Sequence, residues 1–525
     1  MSTELAGTNA AEWRPSYNPW LIALAIMPAV FMEVLDTTIT SVALPHIAGG
    51  LAASNSESTW VMTSYLVANA IVLPASGWLS LRFGRKRLLL ACTVLFTLSS
   101  WVCGLAPSMS ILILARVLQG AGGGAMQPLA QAILLESFPR EKHGMAMAVF
   151  GVGIVAAPIF GPYLGGWLTD NYSWRWVFNI NIPIGILAFF LISQYVEDPP
   201  YIANAKVGTL DKIGFGLLAV WLASLQIVLD KGQEEDWFAS TWIMWLSVVS
   251  VAAVLALIVC ELRASKPFVD LRVFRNRNFC TGSRLMSVVM AVLYSVLTML
   301  PLYMQTLMGY TAQNAGLANM PRGVGSLVAL PIAGVLMPYV DSRYIMSVGL
   351  ASTAAAQLTF GHLTLDVSMS NLILPNFLQG LGIGLFMVPL MAIAVGTLSK
   401  ERIGNASGIF NLMRNLGGSI GISIATTFLA RMTQANQADL VGHLTPYDLV
   451  FQERFQALTV GLARYTAEPQ ARMQAYAMLQ GILLQQASLK AYMAMFFWLA
   501  LMIASCLPGV WLFKKVATKG NVGLH

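Results

Sequence analysis

Glu33 and Asp36 stand three residues apart in FMEVLDTTITSVALP, residues 31–45, inside an apolar run long enough to cross a bilayer. That spacing is close to one helical turn, so the two carboxylates share a face. A charge turned toward lipid costs roughly 3 kcal/mol or more, so this face points into a bundle or a watery cavity. The chemistry on offer is reversible uptake of a proton. The alternative is structural, with Glu33 a hydrogen-bonded packing group and Asp36 tied to Thr37 or Thr40. Arg116 is the natural counterion: at 1.5 Å per residue, Asp36 lies about 12 Å and Arg116 about 10 Å below the same end of their runs. A guanidinium favours the charged acid and burial the neutral one, so a cycle that moves Asp36 between such surroundings would carry a proton. A permanent structural ion pair is the other reading. A second deep cation, Arg414, sits between Asn411 and Asn415 about 15 Å into its run. With Glu33 these three are candidates to line a substrate cavity, although they could equally hold the second half of the chain together.

The elements that must position these groups follow from composition. Of 525 residues 57% are hydrophobic and 10% charged, and the apolar residues come in blocks of about 20, the length of a membrane-spanning helix. The chain reads as an all-α polytopic membrane protein. Its net charge of +7 does not imply nucleic acid, because the basic residues sit between apolar blocks. Cys92, Cys103, Cys260, Cys280 and Cys506 are scattered without CxxC spacing, which points to neither a disulfide framework nor a metal site. No GxxxxGK[ST] or HExxH occurs, so the sequence offers no catalytic or metal-binding motif and requires no cofactor. The acids in the first run make it a retained helix rather than a signal peptide.

Apolar runs predict fourteen spans, from Pro19–Leu44 to Ala491–Phe513. In the short connections between them, every basic residue except Arg175 and Lys231 falls on one side, the side of both termini, which the positive-inside rule makes cytoplasmic. RVLQGAGGG (116–124) is echoed by NFLQGLGIG (376–384), and EKHGMAMAVF (141–150) by ERIGNASGIF (401–410), in one register. Both members of each pair face the same way, so the expected architecture is two six-helix parallel pseudo-repeats with two inserted central helices, 210–229 and 241–261. The boundaries are a cytoplasmic tail at 1–18, an N-terminal bundle at 19–195, the insertion and linkers at 196–280, a C-terminal bundle at 281–513 and a second cytoplasmic tail at 514–525. Within the C-terminal bundle, 432–490 is too long for an ordinary connection. Its Gln, Ala and Leu recur at helical spacing, which predicts amphipathic helices outside the membrane, either a cap or a docking surface.

In GPYLGGW (161–167), Gly161, Gly165 and Gly166 permit close approach of a neighbouring helix, and Pro162 removes a backbone bond. Gly120, Gly124, Gly380, Gly384, Gly417 and Gly421 read as packing seams of the same kind. GWLSLRFGRKR (77–87) places Gly77, Arg82, Gly84 and Arg85 at the inner end of the second helix.

Together with LDTTITSVALP (35–45), RVLQGAGGG, WRWVFNINIPIG (174–185) and RNLGGSIG (414–421), these stretches resemble the fourteen-helix drug/proton antiporters of the major facilitator superfamily, most closely the EmrB-type efflux pumps, over essentially the whole chain. The resemblance implies a non-enzymatic secondary transporter of the bacterial cytoplasmic (inner) membrane. It would export hydrophobic or amphipathic toxic compounds, as in multidrug efflux and antibiotic resistance, in exchange for protons. It places the proton-linked acid at Asp36 and makes GPYLGGW the antiporter motif, a tight seam that resists proton leakage. It makes GWLSLRFGRKR a cytoplasmic latch. That latch lacks an acid where Leu81 stands, which leaves latch and lipid anchor both open. It also implies partners: a periplasmic adaptor (membrane fusion protein) and an outer-membrane channel. A proton-coupled importer of the same fold, or a structural envelope scaffold, are the rival readings.

Overall fold

The computed structural model describes residues 15–139, 142–203, 211–264, 269–396, 400–442, 444–445 and 447–514. Arg14, Arg140, Glu141, Lys206, Lys266, Lys515 and Lys519, and the side chains of Pro162, Lys400 and Arg402, lie outside that description. The described residues form helices and no strand: α1 Pro19–Gly50, α2 Asn55–Phe83, α3 Arg85–Leu105, α4 Met109–Gly123, α5 Met126–Ser137, α6 His143–Asn171, α7 Trp176–Asn179, α8 Asn181–Tyr195, α9 Pro200–Ala203, α10 Lys212–Lys231, α11 Thr241–Arg263, α12 Arg277–Thr306, α13 Ala312–Leu336, α14 Ser342–Phe360, α15 Met369–Gly396, α16 Lys400–Val441, α17 Leu449–Leu462 and α18 Glu468–Val510.

Polar side chains at the chain's turns set where these helices begin. Asn18, Asp211, Asn276, Thr311 and Asp341 each accept a hydrogen bond from a backbone N–H of the first turn of the helix that follows, satisfying donors that a helix leaves unpaired. Ser54 and Glu57 form a reciprocal capping box at α2. Gly84, at φ +84°, turns the chain between α2 and α3 in a conformation other residues resist.

Among the described residues ten spans are long and apolar enough to cross a membrane, α4 and α5 counting as one and α7 and α8 as another. The chain is a multi-pass all-α membrane protein. Large apolar side chains such as Leu98, Trp101, Leu114, Phe190 and Leu255 are exposed on the outside of the bundle, where lipid rather than water meets them. Packing repeats along the chain. α1 lies on α6 and α8, α2 on α4, and α3 on α4 and α8; α12 lies on α16 and α18, α13 on α15, and α14 on α15 and α18. The two groups meet where α6 packs on α13 and α2 on α16. The pair α10 and α11 attaches through α10 to α2. Only 22% of the apolar window of α11 is buried, against 67% of that of α15, so α11 stands at the periphery.

Two features differ from the expectation drawn from apolar runs. The fourth run breaks at Gly124 and Ala125. The segment 432–490 does not begin where the membrane ends: α16 and α18 continue without interruption for 42 and 43 residues, about 63 Å each, roughly twice the hydrocarbon thickness. Only α17 is separate. It packs against α18 through Phe455 and Tyr476, whose ring centroids are 4.4 Å apart. The Asn436 amide donates to the Ala487 carbonyl at 3.1 Å, tying α16 to α18.

Candidate functional site

The deepest polar cluster is built by α1, α3, α4 and α8. Asp36 and Arg116 are both wholly buried and meet at 2.5 Å between Arg116 Nη1 and Asp36 Oδ2. Asp36 Oδ1 accepts from Gln119 Nε2 and from Asn181 Nδ2, each at 2.8 Å. Arg116 Nη1 also donates to Gln119 Oε1 at 2.8 Å, and its Nε donates to the Val61 carbonyl at 2.9 Å. The guanidinium carbon lies 4.3 Å from the Tyr65 ring centroid and 5.7 Å from that of Phe178, a cation–π setting. Ser100 closes the network, accepting from Gln119 and Asn181 and donating to the Phe178 carbonyl. All three bonds to Asp36 are donated to it, one to Oδ2 and two to Oδ1, so a proton would take the lone pair left on Oδ2 and remove the charge that holds Arg116, weakening the cluster. Burying two ions costs several kcal/mol each, and an apolar replacement is often neutral or stabilising. Stability alone therefore gives no reason for the pair.

Glu33 does not join that cluster. One turn toward the start of α1, it accepts from Tyr65 Oη at 3.4 Å, Asn69 Nδ2 at 3.2 Å and Gln127 Nε2 at 2.5 Å. Gln127 in turn accepts from Arg414 Nη2 through its Oε1. Glu33, Gln127 and Arg414 thus form a chain from α1 through α5 to α16, across the junction of the two helix groups. A second bond crosses the same junction, from Asn411 Nδ2 to Gln131 Oε1 at 3.2 Å. Asn415 accepts only a long contact from Arg414 Nε, 3.5 Å.

The glycines lie where helices touch. A methyl on Gly161 would overlap Thr38 Oγ1, and one on Gly165 would stand 3.0 Å from the Ile39 carbonyl. GPYLGGW is therefore pressed onto α1 two and three residues beyond Asp36; Gly166 is buried beside it. At the opposite end of α2 from Ser54, the Lys86 N–H donates to Asp198 Oδ1 at 2.9 Å, and Arg85 pairs with Glu136 at the end of α5. Acids from elsewhere in the chain thus serve a segment that has Leu81, 42% exposed, where an acid was expected. Arg82 is exposed, and nothing crowds Gly77.

Residues 26–422 match the Major Facilitator Superfamily. The chain belongs to that superfamily. It is 39% identical to the multidrug export protein EmrB of Haemophilus influenzae over 83% of this chain and 86% of that protein. It is 38% identical to EmrB of Escherichia coli K12, with 83% and 85% covered. The fatty acid resistance protein FarB of Neisseria gonorrhoeae is 37% identical, with 82% and 85% covered. The proton:xylose symporter XylE superposes with a TM-score of 0.58 over 94% of this chain and 97% of that one, at 15% identity, a likeness of fold alone. The chain is accordingly a superfamily secondary transporter related to EmrB-type multidrug efflux proteins.

Within this superfamily fold, sequence reasoning missed the amides. Gln119, Asn181, Asn69 and Gln127 supply most of the donors around the two acids, and Gln131 accepts the second bond across the junction. Their signal was present: each is an uncharged polar side chain in or at the edge of an apolar run, where polar groups are costly without partners.

Proposed function

We propose that the chain is a proton-coupled antiporter that exports hydrophobic or amphipathic toxic compounds by alternating access between two six-helix halves. The observation that carries this reading is the sealed Asp36–Arg116 cluster, set one helical turn or less from Thr38 and Ile39, where α6 packs on α1 through Gly161 and Gly165. Protonation of Asp36 removes the charge on which Arg116, Gln119 and Asn181 converge. That gives one ionisation event leverage over how α1 is held to α4 and α8. The gradient supplies about 2.3 kcal/mol per charge per 100 mV, and no cofactor takes part. Glu33, Gln127, Arg414, Asn411 and Asn415 form the polar lining where the halves meet.

The ten apolar spans together with α6, α13, α14 and α16 make fourteen crossings. The repeated packing of α1–α8 in α12–α18 supports two parallel halves, with α10 and α11 inserted. Both termini are then cytoplasmic, in a bacterial inner membrane. The names of the relatives, multidrug export and fatty acid resistance, favour export and apolar or amphipathic cargo. The extension of α16 and α18 with α17 is the docking element for a periplasmic adaptor, which leads to an outer-membrane channel.

The test is purified protein in proteoliposomes with an imposed pH gradient. Substrate entering inverted vesicles must release protons from them; movement of both in the same direction would make the protein an importer. Deleting 445–465 should spare substrate binding and impair export across the whole envelope. Lost binding would make the segment part of the carrier.

A further inference from the structure

Arg322 is a buried charge that this reading leaves without a task. It is 6% exposed on α13. Its Nη2 donates to Asn319 Oδ1 at 3.0 Å and to Asn376 Oδ1 at 2.8 Å, while Nε and Nη1 have no partner among the described residues. The two carboxamides are themselves committed: Asn319 donates to the Ala315 carbonyl, and Asn376 to those of Ala318 and Leu372. No acid stands nearby in sequence. From 277 to 400 the only acidic residues are Asp341 and Asp366, both in connections between helices. Two further amides are buried in the same helix group with neither side-chain polar atom partnered among the described residues: Gln379, one turn beyond Asn376 on α15, and Gln357 on α14.

The glycine seams show how this arrangement relates to the acid-bearing half. A methyl on Gly120 would strike the Tyr65 carbonyl, and one on Gly124 the Asn69 carbonyl; on Gly380 it would strike the Arg322 carbonyl, and on Gly384 it would strike Ala329 Cβ and stand 3.1 Å from the Ser326 carbonyl. Arg322 therefore occupies on α13 the place that Tyr65 holds on α2, and Asn376 the place of Arg116. On the third helix, Gly122 abuts Cys92 and Phe96 as Gly382 abuts Gly349 and Thr353, which sets Gln357 in the place of Ser100. A polar centre recurs in the second half, but its cation has moved to the other helix and its acid is gone: α12, the counterpart of α1, carries neither Asp nor Glu.

We propose that the Arg322 centre is an anion-binding site. Its ligand is a small monovalent anionic group, either the carboxylate of an amphipathic compound or a free halide, held by the N–H groups of Arg322 with the amides of Gln379 and Gln357 completing the shell. A guanidinium in a membrane interior is expensive unless an opposite charge compensates it, and it prefers carboxylate-like partners. Here neutral oxygens meet one nitrogen of the three. Binding itself does not depend on the antiport reading, which determines only whether the anion is cargo.

The experiment uses the full chain in lipid nanodiscs, without any gradient, and radiolabelled benzoate, its neutral isostere benzamide, and chloride against gluconate. Benzoate is expected to bind about tenfold or more tightly than benzamide, the order expected for hydrogen bonds to a charged group. Arg322→Gln should reduce benzoate to the benzamide level, Arg322→Lys should keep a weaker preference, and Arg284→Gln, at an exposed arginine of α12, should change nothing. Asn376→Asp, which places a carboxylate against the guanidinium without altering shape, should abolish anion binding and serves if Arg322→Gln does not fold. Chloride that competes with benzoate marks a site open to either source. Benzoate binding indifferent to chloride marks a site for the carboxylate of an amphipathic compound, and Arg322-dependent chloride binding without benzoate marks a site for the free ion. Equal binding of benzoate and benzamide without Arg322-dependent chloride binding overturns the proposal, as does a benzoate preference that survives Asn376→Asp. Because no turnover is measured, failure of proton-driven export would leave this result standing, and the reverse also holds.

Discussion

The helices from α1 to α8 and those from α12 to α18 pack in the same pattern around similar glycine seams, yet they distribute charge in opposite ways. In the first group two acids are saturated with donors, and one of them is locked to a buried cation. In the second group the deep charges are Arg322 and Arg414, and neither meets an acid within its own helices. A shared scaffold therefore does not fix shared chemistry. Small residues at the crossings preserve the backbone geometry, while the side chains they bring together are free to diverge. Contact between the groups is polar as well as apolar, since Gln127 carries the influence of Glu33 to Arg414.

Asp36→Asn is the sharpest way to break the contrast. The amide keeps the shape and one acceptor, so the protein should still elute as a folded species from detergent, while proton-driven export should fall to background. Full transport by this variant would remove the first group's claim to the coupling step. Gly161→Ala should follow in size. Overpacking at such a seam costs about 1–3 kcal/mol, and Thr38→Gly, which removes both Oγ1 and Cβ, the two atoms it strikes, should restore much of the loss in a transport assay. If the double variant is no better than the single one, the seam does not act through α1. Gln127→Ala should sever the link between the groups. Losing hydrogen bonds to two charged partners costs about 1.5–3 kcal/mol, and labelled cysteines on either face should report a shift of roughly tenfold or more in which side is open. The smallest effect is expected at Arg85. Its pair with Glu136 is partly exposed and should contribute about 1 kcal/mol or less; Arg85→Glu should slow transport a few-fold, and adding Glu136→Arg should recover it.

How much of this was legible in the sequence depended on how conspicuous each signal is in an apolar background. A charge in a membrane run stands out, so Asp36 and Arg116 could be matched by depth alone. Amides do not stand out in the same way. Gln119 and Asn181 lie in stretches that the family resemblance had already singled out, but nothing along the chain says that one accepts from Arg116 while both donate to Asp36. The bridge through Gln127 depends on how α5 meets α16, which is tertiary information. The continuity of α16 and α18 escaped for another reason. Hydropathy ends at the membrane surface, whereas helix propensity does not, and Gln, Ala, Met and Leu carry both helices onward. Arg322 was visible as a letter, but its lack of an acid was visible only once α13, α14 and α15 were assembled.

The unbroken run of α16 and α18 out of the bilayer has a mechanical consequence. Two rods braced against each other by Asn436 and Ala487 behave as a lever arm whose root is embedded in one half of the carrier. Any tilt of that half swings the distant tip, with a displacement that grows with height above the lipid. Each transport cycle would then be felt at the far end of the rods as a stroke, timed to the cycle, on whatever sits at the tip.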